Sequence, residues 1–353
     1  MSRSRRRLLS AGVLAGLTMA LLPQAPQAQA ALVPPPQSCT WESHCYGQIS
    51  WSHADVSGAE AEIGTYSMYV PDTGSQFATS EMWVNFDHPT ASSWVEFGVI
   101  RFAGYPCGNG APHWFSAAGR PGYAWEMRCH GSAALNTKSV LRAEEPSNGT
   151  WDLYRNGAYV TRWSGTPAST GRLDVGVEVT SPSVVMSMTA GKLKYRTAAD
   201  KVWKTGWASP SYPAGQPTPN GTPCYTLWVA SPTDMRARCN TDGTLASGSP
   251  AAAPGQGRPS GSVADKVQRI AAWAGDAGAT SVRSVRSSGT EAAARLRTDV
   301  GTDRAVTVVE LDGDFTGERL PRPRGAAPQS GEHLTLVFDE AGDLLTMRLA
   351  RQP

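Results

Sequence analysis

Charge is the first thing this chain is short of. Acidic and basic residues make up only 18% of its 353 positions and nearly cancel, at a formal +2. Arg3, Arg5, Arg6 and Arg7 fall in the first thirty residues with no acid to oppose them, which leaves residues 31–353 at about −2. A chain without basic excess has little with which to neutralise a row of phosphates, so nucleic acid is not an expected partner. The spaced signatures of common enzymes are missing as well. There is no G-x-S-x-G elbow, no H-E-x-x-H pair and no phosphate-binding P-loop. The histidines show no i, i+4 pairing and the cysteines no C-x-x-C, so no metal site and no cofactor is expected. Asp312-Gly313-Asp314 and the run from Asp339 to Asp343 do not have the spacing of a calcium loop and read as turns. Long apolar runs are scarce too. The run from Leu8 to Leu22 stops at Pro23 and Gln24, too short for a membrane span, so no stable membrane anchor is expected.

That run has another use. An arginine-rich start, an apolar stretch and then Ala28-Gln29-Ala30 have the form of an export signal over residues 1–30, with cleavage before Ala31. The arginines suit both the general secretory and the twin-arginine route, and the choice stays open. The expected location is extracellular. Six cysteines in an exported chain read as disulfides. Six allow fifteen pairings. Sequence neighbours are the expected partners: Cys39 with Cys45, Cys107 with Cys129, and Cys224 with Cys239. Only six of the 32 basic residues are lysine, a bias typical of a GC-rich actinobacterial coding sequence.

From residue 63 to 195 the chain reads as short runs of aromatic and β-branched residues, broken by Gly, Pro and Asn. Ten strands are expected, at 63–70, 81–86, 94–102, 113–116, 123–129, 137–143, 151–155, 158–163, 172–180 and 184–195. With no convincing long helix among them, the pattern predicts an antiparallel β-sandwich of jelly-roll or concanavalin-A-like type over residues 31–243. Asn156-Gly157 predicts a type I′ turn joining two paired strands. Along 94–102, Trp94, Glu96, Gly98 and Ile100 share one face and Val95, Phe97, Val99 and Arg101 the other. Neither face is wholly polar, which predicts a central strand with one face on the core and one lining a groove. Residues 225–229 and 235–239 predict a hairpin. Residues 244–262 are nearly all Ala, Pro, Gly and Ser and read as a flexible linker. Residues 263–353 differ in kind. They predict a small C-terminal α+β domain: a helix with a stripe at Val263, Val267, Ile270 and Ala271 stopped by Gly278, a short helix at 291–296, and strands at 305–311, 333–338 and 344–349.

Carboxylates are the first candidates for chemistry. Glu96 sits mid-strand after Trp94, Glu126 follows Trp125, and Glu178 stands within Val177-Glu178-Val179. A carboxylate in such company either pairs with arginine, for which Arg101, Arg128 and Arg162 are at hand, or carries a raised pKa. Trp94-Val95-Glu96-Phe97-Gly98, with the second glutamate at Val177-Glu178-Val179, resembles the concanavalin-A-like sandwiches, and more narrowly the secreted neprosin and eqolisin glutamic peptidases. The resemblance covers about residues 60–195. It implies an acidic residue and a second Glu or Gln facing each other in a groove to activate water, here Glu96 and Glu178.

The tryptophans suggest a different use. Trp83, Trp94 and Trp125 lie in the sandwich, and with Arg101 they would form a platform for sugar rings. The first expectation is therefore a secreted, non-catalytic protein that binds a glycan or cell-wall polymer through an aromatic groove. The second is an acid hydrolase using Glu96 and Glu178. The third is a module for an extracellular protein partner, whose C-terminal domain docks or inhibits an enzyme.

Overall fold

The computed structural model describes residues 44–351 apart from 53–54, 72–75, 87–92, 103–105, 108–109, 121–124, 167–169, 182–183, 207–223, 229–234, 240–261 and 324. The expected export signal, Cys39 and nearly all of the expected linker lie outside the described residues. The chain is mainly β. Its strands are β1 Cys45–Ser52, β2 Val56–Tyr69, β3 Phe77–Phe86, β4 Ser93–Phe102, β5 His113–Gly119, β6 Trp125–Ser132, β7 Thr137–Ser147, β8 Thr150–Arg155, β9 Ala158–Ser164, β10 Thr170–Val179 and β11 Val185–Thr197. After them come β12 Trp203–Thr205, β13 Cys224–Trp228, β14 Met235–Cys239, α1 Val263–Ala274, β15 Thr280–Ser288, α2 Gly289–Leu296, β16 Ala305–Phe315, β17 Gly331–Phe338 and β18 Leu344–Ala350.

Two antiparallel sheets stack face to face. The first runs β1-β10-β3-β4-β5-β6-β18-β17-β16-β15, and the second β13-β14-β11-β2-β7-β8-β9 with β12 on β11. The layer between them is built from alternate residues: Met82, Val84 and Phe86 of β3, Val95, Phe97 and Val99 of β4, and Leu173, Val175 and Val177 of β10, against Ile63, Leu141, Leu153 and Met188 of the second sheet. Asn156 and Gly157 take φ of 50° and 80°, as the primed turn between β8 and β9 requires. Cys107 and Cys129 are bonded. Cys45 and Cys239 are each in a disulfide, and Cys224 stands opposite Cys239 in the β13–β14 register.

The C-terminal strands do not make a sheet of their own. β18 pairs with β6 from Trp125↔Leu349 to Arg128↔Thr346, so β15–β18 prolong the first sheet. A second apolar layer lies on that sheet's other face. There Trp83, Trp94, Ile100, Phe102, Phe115 and Trp125 meet Ile270, Trp273, Phe315 and Leu320. α1 supplies the cover, starting at a Ser262–Asp265 capping box and stopping at Gly275 in the left-handed region (φ 111°), three residues before the Gly278 expected from sequence. Asp312-Gly313-Asp314 is not a turn either: it lies inside β16, at a bulge against β17.

Candidate active site

β10, β3 and β4 are neighbours, and their register places Gly176 opposite Glu81, Glu178 opposite Thr79, Glu81 opposite Gly98 and Trp83 opposite Glu96. Side chains alternate along a strand, so Glu81, Glu96 and Glu178 share the face turned away from the inter-sheet core. Glu81 therefore has glycine beside it on both neighbouring strands. At Gly98 the space is needed: a Cβ there would lie 2.4 Å from that of Glu81 and 2.2 Å from the Ser80 carbonyl oxygen. Gly98→Ala is expected to cost about 1–3 kcal/mol by overpacking, measured as a lowered denaturant midpoint.

The three carboxyls are all fully buried. Burial is the largest influence on each and raises its pKa; the Glu96 and Glu178 charges raise Glu81 further, and the Glu178 charge raises Glu96 further. Glu178 is pushed up to about 8. Neither carboxyl oxygen of Glu81 meets a well-placed donor, although the Thr79 hydroxyl lies alongside. An ionised, fully buried carboxylate with no donor is untenable, so Glu81 is protonated. Its carboxyl and that of Glu178 are near enough to shift one another. Glu96 accepts from the Trp83 indole at 2.9 Å.

Two residues ahead of and in β1 complete the cluster. His44 Nδ1 meets Glu178 Oε1, and His44 Nε2 lies 2.9 Å from the Glu318 carbonyl. The carbonyl can only accept, so the imidazole carries its proton on Nε2. Burial, then the Arg322 charge, holds the His44 pKa well below its ordinary value. Nδ1 is therefore a lone pair, and protonated Glu178 donates to it. The Tyr46 hydroxyl stands 3.1 Å from Glu178 Oε1 and 2.8 Å from the Arg322 carbonyl.

The structure brings Glu96 and Glu178 to one site, as the alternation of their strands suggests, and adds Glu81, His44 and Tyr46. In Glu81-Met82-Trp83-Val84-Asn85-Phe86 the glutamate lies on the same alternate set as Trp83; that period, carried through the β3–β4 pairing, is the signal that points to it. Trp83, Trp94 and Trp125 stand on this face but are covered, at 0%, 0% and 1% exposure. Their groove is filled by the C-terminal residues. Arg101 belongs elsewhere: it lies on the Val95–Val99 face and donates to the Met68 carbonyl, so it has no place beside those tryptophans. Glu126 is removed from the site too, because the register turns it to the opposite face, between Arg120 and Arg128 at 2.9 Å each. Arg162 is taken by Asp152. Among the described residues no group of histidine, cysteine, aspartate or glutamate is arranged to hold a metal, and no helix is long and apolar enough to cross a membrane.

No family model matches the sequence, and no curated protein matches it. Among solved structures, the chain is similar to scytalido-glutamic peptidase bound to a peptide-based transition-state analogue, at 12% identity over 56% of this chain and 98% of that one, with a TM-score of 0.40. It is also similar to the carbohydrate-binding module CBM66 from Bacillus subtilis, at 13% identity over 44% and 92%, with a TM-score of 0.24. A third likeness is to the kappa-carrageenase from Pseudoalteromonas carrageenovora, at 10% identity over 54% and 65%, with a TM-score of 0.26.

Proposed function

We propose that the chain is a secreted acid hydrolase of glutamic type, acting on polypeptide through Glu81, Glu96 and Glu178. The observation that supports this most is that three buried carboxyls meet on adjacent strands and that no cation among the described residues pairs with Glu81 or Glu96. A fold gains nothing from such a cluster. Three raised carboxyls destabilise it at neutral pH, and apolar residues of similar size would pack the face without that cost. A carboxyl and a carboxylate sharing one proton are, however, what acid-catalysed hydrolysis uses. Burial is what holds all three protonated in the closed site. Once the face is opened to water and substrate, one of them ionises in the acid range, and that member takes a proton from water as the oxygen attacks the peptide carbonyl carbon. The protonated member gives its proton to the leaving nitrogen as the C–N bond breaks. The pair ends with the same single proton, on the other partner.

Binding of a glycan or wall polymer has less support, because the tryptophans that would stack on it are spent inside the protein. Trp83 donates to Glu96 and Trp125 to the Pro321 carbonyl, and Trp125 packs edge-on to Trp273 at 6.2 Å. The test is hydrolysis of a denatured protein across about pH 3–8, for the wild type and for Glu81→Gln, Glu96→Gln and Glu178→Gln. Activity confined to acid and lost in Glu178→Gln is expected. Activity that survives all three substitutions would sink the reading.

A further inference from the structure

The residues that close the carboxylate face come from this same chain. After β16, Gly317 donates to the Ala274 carbonyl at the end of α1, and Leu320 turns back to the Gly317 carbonyl. Leu320, Pro321, Arg322 and Pro323 then run buried across the face. Three side chains of the sandwich meet this segment, and all three use its backbone. His44 Nε2 donates to the Glu318 carbonyl at 2.9 Å, Trp125 Nε1 to the Pro321 carbonyl at 3.0 Å, and the Tyr46 hydroxyl to the Arg322 carbonyl at 2.8 Å. Those donors come from the β1 edge of the sheet and from β6 in its middle, and meet one short stretch of main chain. Arg322 returns Nη1 to the Glu318 carbonyl at 2.7 Å, which fixes the turn.

From this juxtaposition we infer that the carboxylate face is a groove for a polypeptide main chain, read at its carbonyls, and that Gly317–Pro323 is its resident occupant and inhibitor. Three side-chain donors that all end on main-chain carbonyls, two of them successive at Pro321 and Arg322, suit a peptide; a saccharide offers hydroxyls, which must donate as well as accept. The occupant is not a substrate. With Glu81, Glu96 and Glu178 at 0% exposure, the carboxyls are shut off from the solvent that would supply the attacking water. The inference deepens the hydrolase reading by naming its substrate's form and its restraint, but the occupancy itself does not depend on catalysis.

The experiment therefore measures binding and hydrolysis separately. A fluorescent peptide of sequence Thr-Gly-Glu-Arg-Leu-Pro-Arg-Pro, copied from residues 316–323, is titrated against the full chain and against Leu320→Asp and Arg322→Ala. Both substitutions weaken the resident segment; Arg322→Ala also withdraws a charge that lowers Glu178, so the hydrolysis arm is read from Leu320→Asp and the binding arm from both. The variants are expected to bind the peptide at least tenfold more tightly than the wild type, and Leu320→Asp to gain acid hydrolysis by a similar factor. Tighter binding with no hydrolysis upholds the occupancy and removes the enzyme reading. Equal binding by folded variants and wild type, or none by either, overturns the occupancy. Should the variants fail to fold, amide exchange on the wild type decides. Peptide in large excess speeds exchange at Leu320 and Arg322 if it competes for the groove, and unchanged exchange overturns the inference.

Discussion

Glu178→Gln is expected to stabilise the chain above about pH 8 and to silence it as a hydrolase. The first half follows from proton linkage. The folded chain holds the Glu178 proton up to about pH 8, whereas the unfolded chain releases it in the ordinary carboxylate range. A carboxyl raised in this way costs nothing while both states are protonated. Its cost grows as pH climbs from the unfolded to the folded value and is complete above the latter. At about 1.4 kcal/mol per pH unit, the full cost has an upper bound of about 5 kcal/mol. Glutamine keeps a donor for His44, with no proton to lose, while the Tyr46 hydroxyl still has the Arg322 carbonyl to donate to. Urea titrations should find the two chains alike near pH 4 and the variant ahead by about 2–5 kcal/mol near pH 9. His44, whose folded pKa is lowered, titrates in the opposite sense, destabilising the fold as pH drops below the ordinary imidazole value, but it is present in both chains and drops out of their difference. Equal stabilities near pH 9 would mean that native Glu178 releases its proton in the ordinary carboxylate range, and the proton assignment at this site would fall. The second half is kinetic. Removing one member of an acid–base pair is expected to lower turnover about 10²–10⁴-fold at every pH, measured on a chain whose groove has been opened.

Arg128→Ala is the other large effect, with an expected loss of about 3–5 kcal/mol. Burial pushes Glu126 up, and the Arg128 and Arg120 charges more than reverse it, so the carboxyl ends below its ordinary range. Arg128 does more than neutralise. Its guanidinium reaches Thr161 Oγ1 at 2.6 Å, the Arg162 carbonyl at 2.8 Å and Thr298 Oγ1 at 2.7 Å, and lies 3.8 Å above the Trp163 ring. It thus ties the sandwich to the C-terminal residues through one side chain. Truncation leaves a buried carboxylate half-paired, which is the expensive outcome. Adding Glu126→Gln to Arg128→Ala should recover part of the loss, because the orphaned charge is gone. A single-variant cost under about 1 kcal/mol in a denaturant titration would show that this cluster does not anchor the seam.

The sandwich was legible because its strands follow simple rules. Alternation along β4 separates the Val95–Val99 core face from the Trp94–Glu96 face, and Asn156-Gly157 marks its hairpin from two residues. What the sequence hid was long-range. β15 is Thr-Ser-Val-Arg-Ser-Val-Arg-Ser-Ser, with too few apolar residues to read as a strand; it is one because β16 pairs with it. The stretch from Ser38 to Cys45 reads as a small clipped loop or an edge strand; β1, which starts at Cys45, is an edge strand, and only its pairing with β10 brings His44 and Tyr46 to Glu178. The tryptophans point to an open platform when the sandwich is considered alone. Their burial depends on Trp273, Leu320 and Phe315, some two hundred residues further along the chain, and no local pattern announces that cover.

The pairing of β6 with β18 has a consequence for solubility. Cut back to its first eleven strands, the larger sheet would end at β6, and Trp125-Glu126-Met127-Arg128 would present a row of free N–H and C=O groups to any strand nearby. In the whole chain the sheet ends at β15 instead, where Arg283 and Arg286 are exposed and their like charges discourage a second copy from adding on. The C-terminal strands exchange a sticky border for a guarded one. Any event that strips them away to free the groove also uncovers an aggregation-prone border, so opening by displacement of Gly317–Pro323, with β18 left in place, is the route that keeps the protein monodisperse.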